Sequence, residues 1–230
     1  MNVLILIRPM AELMNKLRLN GNQLKIIAML SMLIDHTGYV IFHDLTWMRC
    51  IGRLAFPIYT FLLVEGFLHT RSRKKYMIRL FVFALISEMF FDLAFFGKLC
   101  EMNHQNVFFT LFIGFMMLYC FELTDSFAIK YIIFVAGMIA ALLMKTDYSC
   151  GGVAMIYFYY IYRTRKKVCY VVQSAIHCLA YGGVQCFAVF ALPLIHLYNG
   201  ERGRYNLKYL YYLFYPVHLF ILYLIAKKYV

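Results

Sequence analysis

The chain has 230 residues, of which 63% are hydrophobic and only 15% charged, where a soluble domain carries nearer a quarter charged. The formal charge of +12, from 23 Lys and Arg against 11 Asp and Glu, raises nucleic acid as a partner. The basic residues instead fall in short runs between apolar segments, the pattern of cytoplasmic loops, which argues against nucleic acid and for a membrane protein.

In chain order, the first apolar run, Val3 to Ile7, is too short to span and is followed by Arg8-Pro9. No small-residue cleavage site follows a long apolar stretch, so no removed signal peptide is expected. Met10 to Leu19 reads as an amphipathic helix on the cytoplasmic surface, making residues 1–23 a peripheral segment and 24–230 one transmembrane domain. The expected spans are Leu24–Phe42, Met48–Leu68, Tyr76–Phe96, Val107–Leu123, Ala128–Met144, the short Gly152–Tyr162, Val168–Tyr198 and Leu207–Ala226. Gly182-Gly183 divides Val168–Tyr198 into two short helices. The fold class is therefore all-α, a polytopic helical bundle of about nine spans, eight to ten in range. Arg71, Arg73, Lys74, Lys75, Arg163, Arg165, Lys166 and Lys167 place the N-terminus and these loops inside. In a bacterium this is a multi-pass protein of the inner, cytoplasmic membrane.

An ionisable pair within a bilayer segment is costly and marks a functional candidate. The first span carries such a pair, Asp35-His36, and starts from a single cation, Lys25. Lys25 and His36 are eleven positions apart, about three helical turns, so they share a face about 16 Å apart. Drawn on this topology, Arg53, Glu88, Asp92, Asn106 and Asp147 lie at similar depth toward the outer face, as though around one solvated cavity. The alternative for Asp35 is a packing ion pair with Arg53. His177 and His196 read as core histidines. Glu88 and Asp92, one turn apart, have spacing for a proton relay or a metal, but no second carboxylate-histidine motif supports a metal. The seven cysteines form no CxxC pair. Cys50, Cys100 and Cys150 lie toward the outer face, where a disulfide requires an oxidising compartment.

On the cytoplasmic side, the HTRSRKK run from His69, Arg79 and the RTRKK run from Arg163 suit the anionic headgroups of membrane lipids or a phosphorylated ligand. The Asn199-Gly-Glu-Arg-Gly-Arg turn, with Arg202 and Arg204, permits a tight turn that presents backbone N–H groups to an anion.

Several ordered motifs together resemble the TraX family of integral membrane proteins. They are LKIIAMLSMLIDHTGYV from Leu24, IGRLAFPIYTFLLVEGFLHT from Ile51, KYMIRLFVFALISEMFFDLAF from Lys75, QNVFFTL from Gln105, DYSCGGVAMIYFYY from Asp147, YNGERG from Tyr198 and KYLYYLFYPVHL from Lys208. The resemblance implies N-terminal acetylation of a pilin, with acetyl-CoA as donor and a peptide or surface glycan as other acceptors. It also implies similarity to membrane acyltransferases whose first helix carries a basic residue, ten residues and a histidine, a spacing that Lys25 and His36 fit.

Such chemistry needs a base for the acceptor and donors for the developing oxyanion. His36 is the expected base or acyl carrier, Asp35 the group that orients its ring, and Arg53 the holder of the carbonyl oxygen. His218 follows Pro216, which breaks the last span's hydrogen-bond ladder, and is a second candidate. Lys25, Arg79, Asn199, Arg202 and Arg204 are expected to meet the donor's phosphates. The competing class is a proton-coupled transporter that uses Asp35, Glu88 and Asp92 as its relay; a scaffold for a secretion machine is a third.

Overall fold

The structure is a computed structural model that describes residues 18–205 and 208–229. Among these it is all-helical, with only two isolated bridges, Leu19 with Tyr198 and Gln105 with Thr146. The helices are α1 (Gly21–Val40), α2 (Thr46–Gly52), α3 (Ala55–His69), α4 (Arg73–Phe96), α5 (Val107–Phe121), α6 (Phe127–Leu143), α7 (Ser149–Ile161), α8 (Lys166–Ala175), α9 (Ala191–His196) and α10 (Lys208–Tyr229). Between α8 and α9 lie a π-helix, Ile176–Tyr181, and a 3₁₀-helix, Gly183–Phe190.

Local signals account for the ends. Asn20 and Gln23 form a capping box at α1, each side chain accepting from the other's backbone N–H at 3.0 and 2.8 Å. Ser72, Asn106 and Ser126 cap α4, α5 and α6 through their side chains alone, each accepting a backbone N–H of the first turn. Gly97 closes α4 in the left-handed conformation that favours glycine. Gly182 turns the chain at φ +66 and ψ −168, a region open essentially to glycine alone.

α1, α2 and α3 form one wall of the bundle, and α10 packs between α1 and α4. α5 packs on α4, while α7 lies against α3, α5 and α6. Leu24, Ile58, Phe67, Phe115, Leu118 and Met155 are fully buried at their centre. α1 meets α2 at small residues: Gly38 faces Met48, Gly52 faces Asp35, and Ser31 donates to the Ile51 carbonyl at 2.5 Å. The outside is apolar. In α6 only Ala141 is buried, while Phe127, Ile132 and Leu143 are largely exposed.

Among the described residues two segments, Thr46–His69 and Tyr209–Tyr229, are long and apolar enough to cross a membrane. The first is not continuous as expected, because the chain tightens at Arg53-Leu54 between α2 and α3. The two short helices expected in Val168–Tyr198 are an α–π–3₁₀–α succession. The surface helix expected over Met10–Leu19 lies outside the described residues except for its last two, which are not helical: Leu19 bonds to the Leu197 carbonyl, and its own carbonyl accepts from Asn199. The cysteines are free thiols, so no disulfide joins Cys50, Cys100 and Cys150.

Candidate functional site

A cavity of about 500 Å³ opens where α1, α2, α3 and α4 meet the loops before α5 and α7. Asp35, His36, Arg49, Arg53, His104, Asp147 and Tyr148 are its polar lining, set among Phe56, Tyr59, Phe91, Phe95 and Tyr215. Exposed Phe96 and Asn103 belong to the same lining and form its rim.

The consecutive pair on α1 diverges, as a 100° step requires. His36 turns toward α10, where its Nδ1 lies 2.7 Å from Nε2 of His218. Nδ1 of His218 lies 2.7 Å from the Phe214 carbonyl. A carbonyl only accepts, so neutral His218 carries its proton on Nδ1 and offers a bare Nε2. Neutral His36 must then donate from Nδ1, which leaves its own Nε2 with a free lone pair. The two rings meet edge to edge within 10° of parallel, and Phe95 and Tyr215 close on the His36 ring edge-to-face.

Asp35 turns instead to α2. Its carboxylate meets Arg49 Nη1 at 3.0 Å and Arg53 Nη2 at 2.5 Å. Arg49 also donates to the Asp35 carbonyl and lies over the Tyr39 ring. Arg53 donates to the Arg49 carbonyl, to Gln185 Oε1 at 3.3 Å and to the Tyr148 hydroxyl at 3.5 Å. The approach is possible because residue 52 is glycine: a Cβ there would overlap the Asp35 side chain. Two guanidiniums share the Asp35 carboxylate, and the cavity lining holds a second carboxylate, Asp147, beside His104.

Across the cavity, Tyr148 stacks on Phe56 at 3.6 Å. Asp147 stands 3.8 Å from His104, and its carboxylate raises the imidazole's pKa above the ordinary value against the opposing effect of burial.

Several expectations are corrected by this geometry. Asp35 does not orient the His36 ring; His218 does, and Asp35 is the counter-ion of two arginines. Glu88, Asp92 and Asn106 do not line the cavity. The Glu88 carboxylate accepts from the Asn106 backbone N–H at 3.0 Å and from its side-chain amide, and Asp92 accepts from the Glu101 N–H at 2.9 Å. Both therefore anchor the 97–106 loop to α4. Among the described residues no group of three or more His, Cys, Asp or Glu is placed to hold a metal.

The Asn199–Arg204 turn uses two of its backbone N–H groups within the protein, that of Asn199 on the Leu19 carbonyl. Glu201 N–H is taken by Asn199 Oδ1, while the Glu201 and Arg202 carbonyls accept from Gly21 and Asn22 at the start of α1. The turn caps α1, satisfying donors that a helix start leaves open. It brings Arg202 near Lys25, whose ammonium lies 4.9 Å over the Tyr211 ring of α10. Arg204 is exposed, and Arg79 packs on the Tyr76 ring beside Tyr212. Lys25 and His36 thus both face α10, at opposite ends of α1.

Arg49, Tyr148, Gln185 and His104 were not singled out from the sequence as site residues. Arg49 had a readable signal, since it stands four residues before Arg53 and so on the same helical face. Gln185 and Tyr148 come from distant segments that no local pattern links to α1.

No solved structure matches the chain significantly. It is 31% identical over 237 residues to a probable fimbrial assembly protein FimC, serogroup H1, of Dichelobacter nodosus, covering 87% of this chain and 93% of the relative. The family described as TraX protein matches residues 20–226, nearly the whole described bundle and all of its cavity, and the chain belongs to the TraX family.

Proposed function

We propose that the protein is a multi-pass acyltransferase of the bacterial inner membrane that moves an acetyl group from acetyl-CoA to an acceptor such as a pilin N-terminus or another peptide. The observation that carries this reading is the His36 ring: Nδ1 is held by His218, and the ring lines a cavity whose other wall bears Arg49 and Arg53. The apolar exterior, exemplified by α6, supports a bilayer setting, and the basic runs between apolar segments support about nine spans with the N-terminus cytoplasmic. The relative named for fimbrial assembly supports a pilin-like acceptor.

The chemistry follows from the groups present. His36 Nε2 takes a proton from the acceptor amine as its nitrogen attacks the thioester carbonyl. The oxygen that becomes negative faces the guanidinium N–H donors of the Arg49–Arg53 pair, which stabilise it. Collapse breaks the carbon–sulfur bond, and the proton held on His36 passes to the departing thiolate. While His36 is charged, its Nδ1–H remains bonded to the bare Nε2 of His218, which stabilises the imidazolium. The donor's phosphates are assigned to Lys25 and Arg202, with Arg79, Asn199 and Arg204 at the same end of the bundle. The buried Tyr211 hydroxyl beneath Lys25 has no partner among the described residues. Its position on the α1–α10 seam suits the polar arm of a donor directed toward His36.

A proton-coupled transporter is less well supported, because Glu88 and Asp92 bind loop backbone instead of lining the cavity. The test is incubation of purified protein with labelled acetyl-CoA and candidate peptides or glycans. Donor-dependent label transfer, lost in His36→Ala and kept in Glu88→Gln, is the expected result. Full-rate transfer by a folded His36→Ala, or proton-coupled flux without any CoA, contradicts the proposal.

A further inference from the structure

His177 looks at first like a packing residue. It sits on the π-helix with its neighbours Cys178 to Tyr181 exposed, yet is itself fully buried. Its Nδ1 lies 3.2 Å from Gln185 Nε2, across the Gly182 turn. Gln185 is buried too, and its other amide atom, Oε1, faces Arg53 Nη1 at 3.3 Å.

These contacts fix one another's polarity. Arg53 only donates, so the Gln185 oxygen must face it, and the Gln185 NH₂ must face His177. His177 Nδ1 must therefore be the bare acceptor, with the proton of the neutral ring on Nε2. Reversing the His177 tautomer would flip the Gln185 amide and set its NH₂ against the guanidinium, donor against donor. His177 Nε2 has no partner among the described residues, so none of them opposes this assignment on the ring's far side. An apolar side chain would fill the position without leaving that group unpaired, and this is what separates a histidine kept for packing from one kept for its Nδ1.

We infer that His177 and Gln185 are positioning residues that hold the Arg53 guanidinium, through one directed hydrogen-bond chain, at the angle it needs toward the cavity. Asp35 holds Arg53 Nη2 at 2.5 Å and the Arg49 carbonyl holds Nε at 3.2 Å, so Nη1, whose contact with Tyr148 is long, depends on Gln185 for its direction. The 3₁₀-helix makes the third support rigid. It packs on α2 and on the π-helix, and the Gly182 turn sets its register with His177.

The consequence for turnover rests on the acyltransferase reading; the chain itself does not. The experiment has two arms. In the first, ¹⁵N-histidine spectra of the full-length protein in detergent identify His177 by the signal lost in His177→Asn. The expected state is neutral with the proton on Nε2, opposite to His218, and Gln185→Leu relaxes that bias. A His177 proton on Nδ1, or a tautomer indifferent to Gln185→Leu, overturns the chain. The second arm measures acetyl transfer. His177→Leu and Gln185→Leu lower kcat by about tenfold with donor KM held within about twofold. His177→Asn, whose side-chain oxygen can replace Nδ1 as acceptor, recovers most of the rate. Equal loss in the Leu and Asn variants, or no loss in either, overturns the positioning role. Should the wild type transfer no acetyl group, the acyltransferase reading fails while the spectra still decide the chain.

Discussion

Replacing Gly52 with alanine perturbs the site without touching a charged group. The added Cβ would overlap the Cβ, Cγ and Oδ1 of Asp35, in a side chain already held by Arg49 and Arg53. If α1 and α2 separate to admit it, the cost is that of overpacking, about 1–3 kcal/mol. If Asp35 is expelled, two partly buried arginines lose their counter-ion, and the cost moves toward about 3–5 kcal/mol. At roughly 2–4 °C per kcal/mol for a chain of this size, a cost of about 3 kcal/mol, where the two ranges meet, lowers the melting temperature by about 6–12 °C. Gly137→Ala is the matched control. Its Cβ meets Val153 at 3.5 Å, an ordinary contact, and alanine within a helix is neutral or stabilising by up to about 1 kcal/mol. Both variants would be purified in one detergent and their melting followed by tryptophan and tyrosine fluorescence. If Gly52→Ala melts with Gly137→Ala, α1 and α2 do not approach as described, and Asp35 is not locked between the arginines.

Asp35→Asn should destabilise by about 3–5 kcal/mol, since it leaves two guanidiniums without their carboxylate; adding Arg49→Gln should recover part of the loss in the same melting assay. His218→Phe keeps the ring volume but removes the acceptor for His36 Nδ1–H, and should lower acetyl transfer by about 10²-fold, whereas His218→Gln, which retains an acceptor, should lose less; equal losses would deny the tautomer role. Lys25→Ala should raise donor KM and leave kcat near wild type, as expected for a group that binds phosphate away from the bond that breaks. The His104–Asp147 pair gives a pH signature: the folded-state pKa of His104 is raised, so its stabilisation is complete below the unfolded value near 6.5 and disappears as pH rises through the folded value. Both groups are more than a third exposed or close to it, so His104→Gln should cost less than about 1 kcal/mol at pH 5.5 and nothing near pH 9.

The backbone plan was legible because it depends on local signals. Asn20, Ser72, Asn106 and Ser126 sit at helix starts, Gly97 at a helix end, and apolar runs lie between them. Of the candidate site, Asp35, His36 and Arg53 could be placed at one depth from span position alone, and His218 drew notice through Pro216. What one sequence does not encode locally is rotation about each helix axis and the path of each loop. Glu88 and Asp92 look like cavity carboxylates because they lie at the depth of Asp35 and Arg53, but the 97–106 loop folds back and uses them as backbone acceptors. The Asn199–Arg204 turn has the glycines of an anion nest, yet its carbonyls point at α1 because that helix start lies directly beneath it. Which ring nitrogen of His36 is free depends on a residue 182 positions away, and no pattern within one helix carries that information.

The central claim is that the donor's thioester meets the acceptor in the cavity beside His36. A structure of the protein with bound CoA tests this most directly. The expected result is phosphate density beside Lys25 and Arg202, an arm running along the α1–α10 seam, and a thiol within hydrogen-bond reach of His36 Nε2. A CoA bound with its thiol outside that cavity, in a protein that still transfers acetyl groups, would contradict it.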